Sequence, residues 1–218
     1  SICVAVILAL FIRTFVFQAF KIPTGSMEKN LLIGDHLIVN KMLYAPTSSA
    51  FESAVAPVRQ VKREDVVVFK FPQEPDRDFI KRVIGLPGER IRIENKTVYI
   101  NDEPLDEQHY VFFSEAPGTK EPGLFTSRRD DMPEFPIPED HYFVMGDNRD
   151  NSHDSRFWGA LDSRLLKGRA LIIYWSYEAL DGRDAYFKKG LDWVKEMLSV
   201  ILYFVPNTRW DRFFHLVR

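Results

Sequence analysis

A serine hydroxyl attacks a carbonyl only if something takes its proton, and Ser26, in Gly25-Ser26-Met27, has few candidates for that task in this chain. The usual base is a histidine held by a carboxylate. Of the five histidines, His36, His109, His141, His153 and His215, only His153 invites that role, because it stands beside Asp154. Adjacent residues in a turn rarely orient one another as base and orienter, so a Ser/His/Asp triad is the weaker reading. Lys81, in Asp78-Phe79-Ile80-Lys81-Arg82, is the alternative. Strand alternation places Lys81 on one face with Phe79 and Val83, and Arg82 on the other with Ile80 and Ile84. Apolar neighbours disfavour the ammonium, and a fall of roughly two units from about 10.4 would suit a general base at mildly alkaline pH. The competing reading is an ordinary half-exposed strand lysine.

The densest polar run, Gly146-Asp147-Asn148-Arg149-Asp150-Asn151-Ser152-His153-Asp154-Ser155-Arg156, comes after an apolar strand. As a calcium loop it fails. Read from Asp150 it lacks the central glycine and ends on Leu161 where a bidentate glutamate belongs, and read from Asp147 it puts Arg149 at a ligand position. An ordered turn held by Asp, Asn and Arg hydrogen bonds, presenting a hydroxyl to a neighbour, fits better.

The elements that must position these groups are short and β-rich. Residues 36–39, 66–71, 79–84, 90–94, 97–101, 142–145 and 170–175 are β-branched or aromatic runs bounded by turn formers. Gly85-Leu86-Pro87-Gly88 and Asn95-Lys96 read as turns, and residues 45–57 and 113–138 as long loops. Residues 1–20, with Arg13 the only charge, match about 20 residues of helix, enough for a bilayer core. Residues 185–204 carry apolar residues at helical spacing, which predicts a C-terminal amphipathic helix.

The whole chain has 218 residues, 45% hydrophobic and 28% charged, with a net charge of −2. That composition is globular and supplies no global positive field for nucleic acid. The single cysteine, Cys3, excludes an intrachain disulfide and any metal site built on several thiolates.

With these pieces together, the chain resembles the bacterial type I signal peptidases. The likeness is carried by IPTGSM, by GDHLIVNK (34–41), by DFIKRVIGLPGE (78–89) and by GDNRDNSHDSR (146–156), in that order. GSM followed by a GD-x-L-x-V-x-K pattern is shared with self-cleaving repressors; all four motifs together are far more specific. The resemblance implies a membrane-bound serine endopeptidase without a cofactor. Ser26 would be its nucleophile, Lys81 its general base, and Ser152 the residue that holds the lysine amine. Thr24 and the Ser26 backbone N–H would form the oxyanion hole, and Asp154 with Arg156 would support the site. Phe20, Ile22, Leu31 and Ile80 correspond to shallow pockets for small substrate residues. Preproteins with Ala-x-Ala exits would be cut, bound as an added strand, by a monomer in the bacterial inner membrane.

The chain departs from the family at Lys29 and Asn30, where Pro and Thr are usual, and at His153, usually a small residue. Lys21 and Lys29, close behind the apolar run, would by the positive-inside rule put the downstream domain in the cytoplasm. The resemblance puts that domain on the extracytoplasmic side, and this placement is adopted. The expected architecture is therefore mostly β: an antiparallel β-sheet catalytic domain with an N-terminal transmembrane helix and a C-terminal amphipathic helix. The anchor would be 1–20 and the peptidase domain 21–218, with a core of about 21–89 and 141–178 and an inserted region of about 90–140. A pilin-processing relative, or an inactive anchored domain that binds exported peptides, are the alternatives.

Overall fold

The computed structural model describes residues 2–41, 59–114, 129–178 and 205–217. An α-helix, α1 (Ile2–Phe11), leads through a π-helical turn (Ile12–Val16) into β1 (Phe17–Lys21). The expected helix over 1–20 therefore stops short, and no helix among the described residues is long and apolar enough to cross a membrane. The reason lies in β2 (Asp35–Asn40). β1 pairs along its whole length with β2, from Phe17 opposite Asn40 to Lys21 opposite His36. An unpaired β2 edge would leave a row of backbone donors and acceptors without partners, and Thr14, Phe15, Val16 and Phe17 suit a strand at least as well as a helix.

The other strands of the large sheet are β3 (Val66–Phe71), β4 (Glu74–Gly85), β9 (His141–Met145), β10 (Leu161–Asp162), β11 (Leu166–Ser176) and β12 (His215–Leu216). The order is β1-β2-β11-β3-β4-β9-β10, with β12 pairing to β11. VVVFKF of β3 is buried on both faces, as a near-continuous apolar run in a central strand should be. The small sheet takes β5 (Arg90–Glu94), β6 (Thr97–Ile100), β7 (Glu103–Pro104) and β8 (Met132–Pro136) in the order β7-β6-β5-β8. Asn95 and Lys96, both at positive φ, make the two-residue turn between β5 and β6.

β8 falls inside the stretch 113–138 read as loop, so that expectation is corrected in part. Its Pro133 and Pro136 spoil a strand signal, but β8 is an edge strand, where a missing N–H costs nothing. The loop expected over 45–57 and the helix expected over 185–204 lie outside the described residues.

Strand β4 gives a residue to each of three apolar clusters. Ile80 packs with Ile22, Met27, Leu31 and Val217; Val83 with Val67, Phe69 and Val144; Ile84 with Ile91, Phe143 and Met145, which joins the two sheets. Lys81 and Arg82 are thus fixed between packed layers. β9 pairs with β4 only as far as Met145 opposite Arg82, and the chain then turns away at Gly146. Ile80 and Lys81 lie just past the end of that ladder, where a strand edge faces a polar loop.

Candidate active site

Ser26 sits in a single 3₁₀ turn, Gly25–Met27, entered from the extended Thr24 and closed by the Glu28 N–H donating to the Gly25 carbonyl at 3.1 Å. Pro23 stops β1 from running on, and buried Met27 and Leu31, linked by a 2.8 Å backbone hydrogen bond, pin the turn to the core. The turn thereby presents its serine across to β4. Lys81 Nζ lies 2.6 Å from Ser26 Oγ and 3.0 Å from the Ile80 carbonyl oxygen. Both residues are buried, Ser26 at 7% and Lys81 at 4% exposure.

Burial pushes the Lys81 amine down to about 8 from its ordinary 10.5, against the pull of the Asp154 and Asp147 charges and with help from Arg156. At that value a substantial fraction of the amine is neutral near pH 8. A neutral amine at this distance can accept the serine proton. The Phe79 ring lies 5.5 Å from Nζ, on the face that strand alternation assigned to it.

The loop after β9 wraps behind the serine. A methyl group on Gly146 would fall 2.3 Å from Ser152 Oγ and 2.5 Å from the Ser26 carbonyl oxygen, so only glycine lets the chain pass here. The Asn148 N–H donates to the Ser26 carbonyl at 3.1 Å. Asp154 caps α2 (Ser155–Trp158) and accepts from Arg156 Nε at 2.8 Å, Arg156 Nη2 at 2.9 Å and the Gly146 N–H at 3.0 Å. Burial alone would raise this carboxyl, but the Arg156 charge and these donors overcome it and hold it below the usual range. Ser152 is also buried. Its hydroxyl is near enough to favour the Asp154 carboxylate, yet it lacks hydrogen-bond geometry to any partner, Lys81 included.

His153 is exposed, stacked on Phe157 and edge-on to Phe71. The Asp154 carboxylate is taken up by Arg156 instead, so the hydrogen bond of Ser26 goes to lysine. Phe20, Ile22, Leu31 and Ile80 do come together: the last three are in one core cluster with Met27, and half-buried Phe20 packs against it. Lys29 and Asn30, the departures from the family pattern, find partners of their own. Lys29 sits 4.3 Å over the Phe112 ring, and Asn30 Nδ2 donates to the Tyr110 carbonyl at 2.9 Å and to Asp147 Oδ2 at 2.8 Å. No cluster of His, Cys, Asp and Glu fit for a metal occurs among the described residues.

Sequence reasoning foresaw a turn held by Asp, Asn and Arg but missed the ionic partners outside it that frame Ser26 and Lys81. Arg82 grips Asp147 with two bonds of 2.7 Å, donates to the Glu64 carbonyl at 2.9 Å and lies 4.4 Å over the Tyr110 ring. Arg149 pairs with Glu107 at 2.7 and 2.6 Å, and Lys96 with Asp150 at 2.8 Å. These pairs tie the 146–156 loop to β4 and to the small sheet. One signal was available: alternation set Arg82 among Ile80 and Ile84, and an arginine on an apolar face needs a carboxylate partner. Arg82→Met should leave Asp147 as an uncompensated buried carboxylate and lower unfolding free energy by about 3–5 kcal/mol. Denaturant titration measures this, and a loss below about 1 kcal/mol would mean the pair is dispensable.

The comparisons with known proteins identify the family. The family model described as signal peptidase, peptidase S26, matches residues 1–175. The signal peptidase I of Pseudomonas aeruginosa is 34% identical over 200 residues, covering 78% of this chain and 69% of that protein. The probable signal peptidase I-2 of Synechocystis is 38% identical over 177 residues, covering 78% and 69%. The signal peptidase I of Aquifex aeolicus is 31% identical over 218 residues, covering 78% and 80%. A serine and a buried lysine in contact, framed by the 146–156 loop, thus sit inside the matched stretch, and the chain belongs to the signal peptidase family, peptidase S26.

Proposed function

We propose that this peptidase removes signal peptides from exported preproteins with Ser26 as nucleophile and Lys81 as general base. The observation that carries the reading is the 2.6 Å approach of Lys81 Nζ to Ser26 Oγ in a site where burial favours the neutral amine. The neutral amine accepts the Ser26 proton as Oγ attacks the scissile carbonyl, and the resulting ammonium then protonates the departing amine. Water, deprotonated by the same lysine, hydrolyses the acyl-enzyme. The N–H groups that open a helical turn have no intrahelical partner, so the Ser26 N–H, together with the hydroxyl of Thr24 at the head of the same turn, would receive the oxyanion. The partnerless Ser152 hydroxyl is available to the second hydrogen of the neutral Lys81 amine, the first being held by the Ile80 carbonyl, and Asp154 with Arg156 holds the loop that carries Ser152. Phe20 and Ile80, backed by Ile22 and Leu31, would line shallow pockets for the small residues of Ala-x-Ala exits.

The test is digestion of a purified preprotein in detergent, with sequencing of the product's amino terminus. Cleavage immediately after Ala-x-Ala supports the reading; intact preprotein, or cuts elsewhere, refutes it.

The apolar N-terminal segment suggests where the enzyme works. Ile2, Val4, Ile7, Leu8, Leu10 and Phe11 are all exposed, and α1 has no buried residue. Water does not favour such a surface, whereas an apolar environment does. We place this segment in the bacterial inner membrane, with the β domain as a monomer on the extracytoplasmic side. Membranes washed with alkaline carbonate should therefore retain the protein, and its release into the supernatant would leave only peripheral attachment.

A further inference from the structure

The stretch matched by the family model ends at residue 175, yet the chain beyond it returns to the nucleophile. After β11, residues 205–217 re-enter beside the sheet. Thr208 bridges to Tyr177, the Arg209 N–H donates to the Ser176 carbonyl at 3.0 Å, β12 pairs with Ile172 and Ile173, and buried Val217 joins the cluster that holds Ile22, Met27 and Leu31. From this platform two arginines reach the turn that links the serine's 3₁₀ turn to β2. Arg212 Nε and Nη2 bind the two carboxylate oxygens of Asp35 at 3.1 and 2.6 Å, and Nη2 also donates to the Asn30 carbonyl at 2.8 Å. Arg209 Nη1 donates to the Ile33 carbonyl at 3.0 Å.

Each target bears on the serine. Asp35 is wholly buried and also accepts the Leu32 N–H at 2.8 Å, so its charge is enclosed unless Arg212 answers it. Asn30, held by Arg212 through its carbonyl, donates its side-chain amide to Asp147, the partner of Arg82, next in sequence to Lys81. One guanidinium therefore braces the turn behind Ser26 and, through Asn30, the loop in contact with the base's strand. A lysine could not do both, since a guanidinium presents a planar fork and an ammonium a point charge.

We propose that Arg212, with Arg209 beside it, is a positioning residue for catalysis: the C-terminal segment clamps residues 30–35 and so fixes Ser26 within proton-transfer distance of Lys81. This rests on the Ser26 and Lys81 reading above. A misplacement of about 1 Å at a reacting pair can cost on the order of 100-fold in rate. Loosening the turn would also admit water to the amine.

The test compares wild type, Ser26→Ala, Arg212→Gln, Arg212→Lys and Arg209→Gln in the full chain, on a signal-peptide substrate, with kcat expressed per folded molecule. Arg212→Gln should lower kcat by about 10- to 100-fold with KM changed by no more than about threefold. Its acidic limb should move to higher pH, because a rehydrated Lys81 titrates nearer its ordinary value. Arg212→Lys should recover part of the loss. A merely structural role would lower the melting temperature and the folded fraction without moving the limb. Unchanged kcat per folded molecule together with an unmoved limb in Arg212→Gln overturns the clamp; should that variant not fold, the same result in Arg209→Gln, which releases the Ile33 carbonyl, does so. Activity in Ser26→Ala would instead sink the nucleophile reading, whatever the Arg212 variants do.

Discussion

Ser26→Ala is expected to abolish preprotein cleavage while leaving the fold intact. The hydroxyl is the atom that forms the acyl bond, and loss of a serine nucleophile removes on the order of 10⁴-fold or more of turnover. The structural cost is small. One hydrogen bond to Lys81 disappears, worth about 0.5–1.5 kcal/mol, and the amine keeps its bond to the Ile80 carbonyl. Met27 and Leu31, which pin the turn, are untouched. The measurement is processing of a purified preprotein alongside thermal unfolding of both proteins. Near wild-type turnover in the variant would remove Ser26 from the chemistry.

Lys81→Met separates a lysine base from a histidine base. Methionine keeps most of the stem, so packing against Phe79 survives, but nothing remains to take the proton. General-base catalysis contributes about 10²–10⁴-fold, and at least that much activity should vanish with stability preserved. His153→Ala should be tolerated, since its ring is exposed against Phe157 and Phe71. The pH profile gives an independent reading. A lysine brought down to about 8 is protonated and inactive below that value and neutral above it, so kcat should rise as pH increases through about 8. An unperturbed histidine would place the same limb near about 6.5. Full activity in Lys81→Met, or its loss in a folded His153→Ala, would overturn the Ser/Lys mechanism.

How much of this was legible depended on how local each signal was. Strands such as β3 and β5 announce themselves, because their apolar pattern and flanking turns lie within a few residues. The pairing of Ser26 with Lys81, 55 positions apart, was carried by the order of the four motifs, since strand alternation alone left an ordinary strand lysine open. β1 reads as helix because its apolar residues serve either state; the free edge of β2 decided, and an edge is not a property of residues 17–21. β8 was hidden by prolines that only an edge position excuses. The ionic frame was least visible. Asp147 and Arg82 are 65 residues apart, and Asp35 and Arg212 are 177 apart, so nothing in either neighbourhood names its partner. Asp154 and Arg156, two residues apart, were the pair a sequence could disclose.

The bridge between Tyr177 and Thr208, with the Glu178 N–H donating to the Asn207 carbonyl at 2.9 Å, brings both ends of the intervening stretch to one doorway. Chain length inside such a doorway is thermodynamically inexpensive: a fivefold change in loop length alters closure entropy by only about 1.4 kcal/mol. Insertions and deletions there need not strain the strands on either side, because the register is set at the threshold. A change in chain length between residues 178 and 205 would therefore leave Arg209 and Arg212, just past the threshold, with their aim intact.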